Sequence, residues 1–431
     1  MRILIQGVDP AETISSALEL GAAVMQPGVE SVVREIIEDV RVRGESALLD
    51  LGRRFDCPRL EKIAVPRDEI ERAAARVGDD LWQALERAAG NIRRFHEEEK
   101  QSSWVTARGG ATLGQLVKPV DCAGLYVPGG RACYPSSVLM TAIPASVAGV
   151  KRIYLATPAG PDGRPPDAVL AACSLCGVTG VFNMGGAQAI AAFAFGAGCV
   201  PRVDKIAGPG NQYVNTAKRL LFGQVGIDSL AGPSEVLIVA DDCAPAEWIA
   251  ADLIAQAEHA GDSKAILVAL SRDVAEAVNS AVEKRVRAEP RRELIEQSLS
   301  SGGVIIVTES PDAALELVNT CAPEHLQLLV RDPQEWIPGV RNAGAIFAGP
   351  YTPVPLGDYA AGPSHTLPTG TSARFLSALG VAEFQKRTSL LWYGRDAMQE
   401  DARAAMVIAE AEQLHAHKAA LEIRLADGAD R

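Results

Sequence analysis

The sequence predicts an α/β protein with two Rossmann-like parallel-sheet units of similar design and helical segments at both ends of the chain. Beyond about residue 120, short apolar runs alternate with helical stretches, the pattern of a parallel sheet covered by helices. The alternation starts a second time near residue 235. A chain of 431 residues also exceeds what one simple core serves, so two or more domains are expected.

The predicted elements divide the chain into four parts. Residues 1–25 give a strand and then a helix, and residues 28–100 are rich in helical patterns. The first α/β unit has predicted strands at 124–127, 152–156, 181–184 and 205–207. The second has strands at 236–239, 265–269, 304–307, 326–329 and 345–347, with helices at 246–258, 273–288 and 311–319. After residue 376 the pattern is helical again. The expected parts are an arm (1–25), a discontinuous α/β domain (26–122 and 235–376), an inserted α/β domain (123–234) and a helical tail domain (377–431).

Composition excludes several classes of partner. The net charge of −12 and the pI near 5.1 argue against nucleic acid or an anionic membrane as a binding partner. The sequence predicts no signal peptide and no membrane span, since no run of about 18 apolar residues occurs. The eight cysteines are scattered, which is typical of reduced thiols in a cytoplasmic protein.

Three glycine-rich turns follow strands of the first α/β unit, at 126–131, 183–188 and 207–213. Each places backbone N–H groups at a helix start, where a phosphate is readily bound. None matches G-x-G-x-x-G, and no acidic residue stands at the usual distance for binding a ribose. A single such turn is usually structural, but three along one sheet would line its carboxyl edge. The sequence therefore predicts a nucleotide site that does not use the common fingerprint.

Five of the six histidines fall in four short motifs: QAEH (256–259), APEH (322–325), GDYAAGPSHTLPTG (357–370) and EQLHAH (412–417). Gln256 and His259 are three apart and share one helix face, although such a pair alone is typical of a solvated surface. Aspartate, glutamine and histidine together are suitable zinc ligands, and zinc usually takes about four.

The remaining polar motifs predict proton transfer and leave one ambiguity. Glu324 and His325 follow Pro323 at a strand start, so their side chains are expected to point to different sides, as an acid and a base for proton transfer. His415 and His417 lie about 200° apart around a helix, so at most one faces a given site. Their spacing from Glu412 does not decide which one.

Eight motifs occur in an order that carries a resemblance to a known family. They are GLYVPGG, GGAQAIAA, GPGN, AGPSEVLIVAD, DLIAQAEH, APEHL, GDYAAGPSHTLPT and AHKAALEIRL. In these motifs, over about residues 25–424, the sequence resembles the histidinol dehydrogenases. The resemblance implies a zinc-dependent homodimer that oxidises L-histidinol to L-histidine through the aldehyde with two NAD, with active sites shared between subunits.

The family's motifs imply a role for each matching residue. The implied metal ligands are Gln256, His259, Asp358 and His417, the Ala-His-Lys match selecting His417 over His415. Glu324 and His325 match the catalytic pair, and Ser234 and Glu412 match substrate contacts beside His325 and the four ligands. Tyr126, Gln188 and Asn211 match NAD contacts, so that 123–234 becomes the NAD-binding domain. An insertion-like loop at 158–167 is expected to lie away from the motifs, and changed neighbours of His365 leave its role open.

The implied mechanism divides the work between two residues. His325 accepts the proton of the alcohol in each oxidation, and Glu324 activates the water that adds to the bound aldehyde. Two alternatives remain: a related zinc dehydrogenase acting on another amino alcohol or polyol, and a non-catalytic nucleotide-binding protein. The intact Glu412 and AHKAALEIRL tail argue against the first, and the intact catalytic and ligand set argues against the second. Manganese and cobalt remain open beside zinc.

Overall fold

A computed structural model describes residues 1–20, 28–129 and 133–426 of the chain. It divides into two compact units. The main unit contains Met1–Glu99 and Val120–Phe384, and the small unit contains Lys100–Pro119 and Gln385–Arg431. In the described ranges, none of the helices is both long and apolar enough to cross a membrane.

The strands are β1 (Arg2–Ile5), β2 (Trp104–Arg108), β3 (Ala111–Pro119), β4 (Cys122–Tyr126), β5 (Arg152–Thr157), β6 (Gly180–Asn183), β7 (Lys205–Ala207), β8 (Gly226–Ile227), β9 (Glu235–Ala240), β10 (Lys264–Ala269), β11 (Gly303–Val307), β12 (His325–Leu329), β13 (Ala345–Ala348) and β14 (Gln385–Tyr393).

The helices are α1 (Ala11–Leu18), α2 (Val29–Arg43), α3 (Glu45–Phe55), α4 (Arg67–Ala73), α5 (Asp79–Glu98), α6 (Pro135–Ala148), α7 (Asp167–Leu175), α8 (Gly186–Phe195), α9 (Gln212–Leu221), α10 (Ala246–Ala257), α11 (Arg272–Val286), α12 (Arg292–Gly302), α13 (Pro311–Cys321), α14 (Pro333–Trp336), α15 (Val354–Leu356), α16 (Arg395–Ala411) and α17 (His415–Ala426). A π-helical turn, Gly357–Ala361, follows α15.

Two parallel sheets form the core of the main unit, as the sequence predicts. The six-stranded sheet has the order β1-β11-β10-β9-β12-β13, and the five-stranded sheet has the order β6-β5-β4-β7-β8. Strand β9 is buried along its whole length, because alternate side chains enter different cores: Ile238 packs on one face and Leu237 on the other. Apolar runs without alternation are typical of strands covered on both faces. The predicted fold class is therefore confirmed.

The amino-terminal helices pack differently from the expected domain assignment. The sequence analysis grouped 26–122 with 235–376, but Val33 of α2 and Leu48 of α3 share a core with Phe193 of α8, beside the five-stranded sheet. Strand β1 pairs with β11 at the edge of the six-stranded sheet, so this part of the expected arm is a sheet strand. Contacts between residues far apart in sequence decide this packing, and the domain boundaries as a whole stay a prediction.

The small unit contains a strand where the sequence predicts only helix. Strand β14 pairs antiparallel with β3 over nine residues, and β2 completes a three-stranded sheet. Most side chains of β14 are exposed in this chain, so its sequence lacks the alternation that would reveal a strand. Helices α16 and α17 follow, separated by a break at residues 412–414 in which Gln413 has φ of 60°.

Candidate active site

The predicted catalytic pair lies at the amino edge of the six-stranded sheet. Glu324 immediately precedes β12, and His325 is its first residue, opposite Val236 of β9. The chain reaches this position abruptly, because Ala322 ends α13 in the left-handed region at φ of 50° and Pro323 cannot continue a helix. Both catalytic side chains are buried.

One carboxylate oxygen of Glu324 is held by two donors. The Ser234 hydroxyl donates to Oε2 at 2.7 Å, and the Glu235 backbone N–H donates to the same atom at 2.8 Å. Burial raises the pKa of the Glu324 carboxyl, and His325 with these two donors offsets only part of that effect. Ser234, which the family motifs match to a substrate contact, thus binds the carboxylate of Glu324.

The expectation that the two catalytic side chains point to different sides is wrong. Glu324 Oε2 lies 3.5 Å from His325 Nδ1. Strict alternation holds only within a strand, and Glu324 lies one residue before β12 begins. Both side chains therefore reach the same site.

The hydrogen bonds of His325 fix which ring nitrogen is the reactive one. Nδ1 lies 2.9 Å from the carbonyl oxygen of Glu235, which can only accept, so Nδ1 carries a proton. Nε2 is buried without a hydrogen-bond partner in the described residues, 3.8 Å from Asp358 Oδ1. Burial lowers the pKa of His325, but the carboxylates of Glu324 and Asp358 outweigh it and raise the pKa to about 9. Nε2 is thus the atom at which this ring gains and loses its proton.

Asp358 lies on the π-helical turn, and two side chains donate hydrogen bonds to backbone carbonyls of this turn. Asn91 of α5 donates from Nδ2 to the Ala360 carbonyl at 2.6 Å, and His365 Nδ1 donates to the Asp358 carbonyl at 2.9 Å. His365 Nε2 lies 3.3 Å from the Ser137 hydroxyl of α6, so both of its ring nitrogens are engaged. Burial lowers the pKa of His365 and favours its neutral form. This histidine therefore orients the Asp358 turn.

Gln256 and His259 meet the site at the end of α10. Gln256 belongs to the last turn of the helix, and His259 lies two residues beyond it, with its N–H 3.3 Å from the Gln256 carbonyl. Surrounding protein lowers the pKa of His259, an effect that nearby Asp358 opposes, and this favours the neutral imidazole that a metal requires. Among the described residues the buried Gln256 amide nitrogen has no hydrogen-bond partner, and the two ends of an amide are interchangeable by rotation.

These residues fit a metal ion but do not complete its coordination. Gln256, His259 and Asp358 offer an amide oxygen, an imidazole and a carboxylate, all in the main unit. Within the described ranges, no group of three or more His, Cys, Asp or Glu side chains has the arrangement of a metal site. Zinc usually takes four ligands, so at least one more donor is needed.

His417 and Glu412, the remaining predicted site residues, belong to the small unit and are exposed. The sequence analysis compared their spacing along one continuous helix. The structure contradicts that assumption, because Glu412 follows the end of α16 and His417 lies in the first turn of α17. The break at 412–414 therefore changes the angle between Glu412 and the two histidines. His415 and His417 both lie in α17, so the predicted angle of about 200° between them is unaffected.

The three predicted cofactor residues lie at the carboxyl edge of the five-stranded sheet. Tyr126 ends β4, and its hydroxyl accepts the Gly186 N–H at 3.0 Å. Burial raises the pKa of Tyr126 to about 12, which keeps the phenol neutral. Gln188 is buried beside the same turn, where a Cβ on Gly186 would lie 2.8 Å from its Oε1. Residues 130 and 131 of the predicted turn at 126–131 lie outside the described residues.

Asn211 caps α9 and contributes only part of its side chain to the cofactor edge. Its Oδ1 accepts the N–H groups of Tyr213 and Val214, at 3.0 and 3.2 Å. Two of the free donors at the helix start are therefore already satisfied. A ligand at this turn would meet the amide nitrogen of Asn211.

The loop at 158–167 does not lie away from the motifs, as the sequence analysis expected. It follows β5, the strand between β4 and β6, and its first residue, Pro158, reaches both neighbouring turns. A Cβ on Gly129 would lie 3.2 Å from Pro158, and one on Gly185 would lie 2.8 Å from it. Strand order, which local sequence does not reveal, puts the loop at the cofactor edge.

Two acidic residues at these edges escaped sequence reasoning. Asp56 accepts the Gly185 N–H at 3.0 Å, and burial raises the pKa of this carboxyl. Nothing in the sequence around Asp56 connects it with residue 185. Glu235 is buried at the start of β9, and burial raises its pKa to about 8. The sequence does carry a signal for Glu235. It begins a continuous apolar run, and a strand that is covered on both faces leaves its carboxylate no solvated side.

A parallel-sheet fold with glycine-rich turns on one sheet and a buried Glu–His pair beside the predicted metal ligands on the other is the arrangement expected of an α/β oxidoreductase. The family model of histidinol dehydrogenase matches residues 22–425. The chain belongs to the histidinol dehydrogenase family.

Individual proteins agree with this assignment. The chain is 47% identical over 413 residues to histidinol dehydrogenase of Pseudomonas fluorescens Pf-5, covering 95% of this chain and 93% of the relative. The crystal structure of histidinol dehydrogenase from Elizabethkingia anophelis is similar with a TM-score of 0.94 at 35% identity, covering 99% of this chain and 98% of that one. An acetylating aldehyde dehydrogenase from Geobacillus thermoglucosidasius, 13% identical with a TM-score of 0.50 over 85% of this chain and 97% of its own, shares the fold alone.

Proposed function

We propose that the protein oxidises L-histidinol to L-histidine through histidinaldehyde, in the cytoplasm, with two NAD and a zinc ion. The observation that carries the proposal is the environment of His325. Its Nδ1 is fixed on the Glu235 carbonyl, so the buried Nε2, next to Glu324 and Asp358, is the atom that exchanges a proton with the substrate. The two carboxylates raise the His325 pKa to about 9, and a cation bound at Asp358 would oppose them and favour loss of the Nε2 proton, which frees this atom as a base. A general base of this kind is what two successive oxidations at one carbon require.

The two sites contribute different parts of the reaction: the amino edge of the six-stranded sheet transfers protons, and the carboxyl edge of the five-stranded sheet binds NAD. In the first step, His325 Nε2 takes the hydroxyl proton of the alcohol while the carbon loses a hydride, and the product is the aldehyde. Glu324 then takes a proton from water as the water oxygen adds to the aldehyde, and His325 returns its proton to the aldehyde oxygen, which completes the hydrate. Nε2 of His325 is thereby free again to take a hydroxyl proton of the hydrate in the second oxidation. Tyr126, Gln188 and Asn211 would hold NAD, which would supply the hydride acceptor for each oxidation.

Glu324 is suited to act on water because its two oxygens are in different states. Oε2 is occupied by Ser234 and Glu235, which fix the carboxylate plane. Oε1, which receives neither of these two bonds, is the oxygen assigned to the water. Burial raises the pKa of this carboxyl, which makes it a stronger base than an exposed glutamate.

The metal is assigned to Gln256, His259 and Asp358, with the partner's His417 as the fourth ligand. Zinc, when bound, supplies a positive charge that orients the imidazole and amine of the substrate and polarises the reacting oxygen. The support in this chain is the unpartnered amide of Gln256, the neutral imidazole of His259 and the carboxylate of Asp358. The eight free cysteines agree with a reducing compartment.

A homodimer is supported by the surface of the small unit. Trp104 of β2 is 53% exposed and Trp392 of β14 is 71% exposed, and Val407, Ile408 and Ile423 of the terminal helices are exposed as well. Helix α17 buries none of its residues within the described part of the chain. Large apolar side chains of this kind mark a protein interface. A second copy of the chain would cover them and bring His417 and Glu412 to its partner's site.

The proposal is tested by following NADH absorbance after L-histidinol is added to the purified protein with NAD. We expect two NADH for each histidinol consumed, and loss of activity when a chelator removes the metal. Zinc, manganese and cobalt are then added back in turn to find which restores the rate.

Other amino alcohols, such as L-alaninol, serve as controls for the substrate. Faster oxidation of one of these would favour the related dehydrogenase over the proposed enzyme. A single NADH for each histidinol, or full activity in protein shown to be metal-free by elemental analysis, would contradict the proposal.

A further inference from the structure

A buried lysine lies beneath the cofactor edge of the five-stranded sheet. Lys218 of α9 is 1% exposed, and its ammonium donates to Asp228 Oδ1 at 2.5 Å and to the carbonyls of Gly208 and Ser229 at 2.7 and 3.1 Å. The Asp228 side chain is 3% exposed. Removing charged groups from water costs considerable free energy, so a fully buried ion pair adds little net stability and is better explained by another role.

The ion pair holds both peptide groups of one glycine. Asp228 Oδ2 accepts the Gly208 N–H at 2.7 Å, while Lys218 binds the Gly208 carbonyl. Gly208 has φ of 123°, and a Cβ there would lie 2.1 Å from the Tyr126 carbonyl oxygen. The pair thus holds a backbone conformation that only glycine adopts easily, directly against the strand end that carries Tyr126.

Asn215, one turn earlier on α9, extends the same support. Its amide nitrogen donates to the carbonyls of Gly210 and Ala231, at 3.2 and 2.6 Å, and its oxygen accepts the Ala231 N–H at 3.2 Å. Asn215, Lys218 and Asp228 therefore join the 208–211 turn to the connection at 228–231. We refer to these three residues as the bracket.

We propose that the bracket is a positioning device for NAD, because it sets the backbone of the 208–211 turn from which Asn211 meets the dinucleotide. The inference rests on the proposed function, since it takes the turn to be a cofactor site. The bracket residues touch the turn from behind and are not catalytic. Their removal should let the turn relax and weaken NAD binding while leaving the chemistry intact.

The substrate side has anchors of its own, so the effect should be confined to the cofactor. Ser234 is fixed by Glu324 through its hydroxyl and by the Lys264 N–H through its carbonyl, at 2.7 and 3.0 Å. Gly232 is held by the Thr369 hydroxyl. These bonds do not involve the bracket.

The test combines Lys218→Met with Asp228→Asn, which removes both charges and leaves an oxygen to accept the Gly208 N–H. Calorimetry with NAD alone should show a dissociation constant raised roughly tenfold or more. In steady-state kinetics KM for NAD should rise likewise, with kcat at saturating NAD and KM for histidinol changed less than about threefold. A merely structural role would lower thermal stability without this split between the two substrates.

The matched control is Lys205→Met. Lys205 forms a part-buried ion pair with Glu383 at 2.7 Å, but it begins β7, whereas the 208–211 turn follows the end of that strand. This variant should lose stability and keep its NAD affinity. An equal loss of NAD affinity in the control would overturn the assignment, because any lost ion pair in the sheet would then suffice.

Asn215→Ala keeps the proposal testable if the double variant fails to fold. It leaves the ion pair in place and should raise the NAD dissociation constant by a smaller factor, roughly threefold to tenfold. Wild-type affinity in a folded bracket variant overturns the bracket's role alone. Absence of NAD binding by the wild-type protein overturns the proposed function together with it.

Discussion

The two parallel sheets share one architecture, yet their sites lie at opposite ends. The five-stranded sheet presents glycine turns and the start of α9 at its carboxyl edge. The six-stranded sheet presents Glu324 and His325 at its amino edge, next to the ends of α10 and α13. Each edge therefore offers a different end of the helix dipole.

This difference explains which ligand each edge suits. Helix starts carry free N–H groups and partial positive charge, which favour a phosphate. Helix ends carry free carbonyls and partial negative charge, which favour a cation or a protonated ring. The His325 Nδ1–H on the Glu235 carbonyl and the metal-type ligands after α10 agree with the second case. Similar sheets thus acquire complementary chemistry from the edge that is used.

The largest effect is expected from His325→Asn, which removes the base at the amino edge. Both oxidation steps should slow by about 10²- to 10⁴-fold, the usual contribution of a general base. Glu324→Gln should slow mainly the conversion of aldehyde to acid. Single-turnover measurements that start from histidinol and from histidinaldehyde separate the two steps. If Glu324→Gln slowed the oxidation of histidinol to the aldehyde as much as His325→Asn does, the proposed division of roles between the two residues would be contradicted.

The incomplete ligand set predicts a smaller but more specific effect in mixed dimers. His259→Ala and His417→Ala should each be inactive, because every site in either homodimer lacks a ligand. If sites are shared in a two-fold dimer, co-expression puts both lesions in one site of each mixed dimer and leaves the other intact. Random pairing then restores about a quarter of wild-type activity.

Mass spectrometry of the co-expressed sample provides the control for pairing. Inactive samples that contain mixed dimers would show that each ligand set comes from one chain. In that case the amino edge would be completed within the protomer.

The smallest effect is expected from Glu235→Gln and depends on pH. Burial and nearby Glu324 raise the Glu235 pKa from 4.5 to about 8, although the Gly370 N–H opposes this. Between these values the unfolded chain has lost the proton that the folded protein keeps, so the free energy of unfolding falls as pH rises. The variant lacks this loss, and its Tm relative to wild type should increase by on the order of 5 °C from about pH 5 to 8. Glu316→Gln, at an exposed position of α13, is the control and should give a Tm difference independent of pH.

Much of the main unit was predictable because its strands are continuous apolar runs between turn residues. The segment 235–240 is buried on both faces, and such a run admits few alternatives to a central parallel strand. Strand β14 was missed because most of its side chains are exposed in this chain. Helix α12 was missed because it buries only Ile295 and Ser298, so few apolar positions mark it. The pattern of apolar residues along the sequence reflects burial, so it does not reveal an element whose side chains are mostly exposed.

The site was predictable by residue type but not by arrangement. Gln256 and His259 are recognisable from their spacing, and Glu324 from its neighbour His325. The pairing of Asp56 with Gly185 and of Lys218 with Gly208 depends on how strands and helices are ordered in space. The pattern of residues along one sequence does not reveal how strands and helices are ordered in space.

The split of the small unit along the chain governs when it can fold. Strand β3 is made early, but its partner β14 emerges roughly 270 residues later, on the order of half a minute at ordinary synthesis rates. Until then the edge of β3 that faces away from β2 is open. An unpaired edge of this kind is a template for pairing with another nascent chain. Ribosomes that stall before residue 385 would therefore release products prone to aggregation, whereas completed chains close the edge themselves.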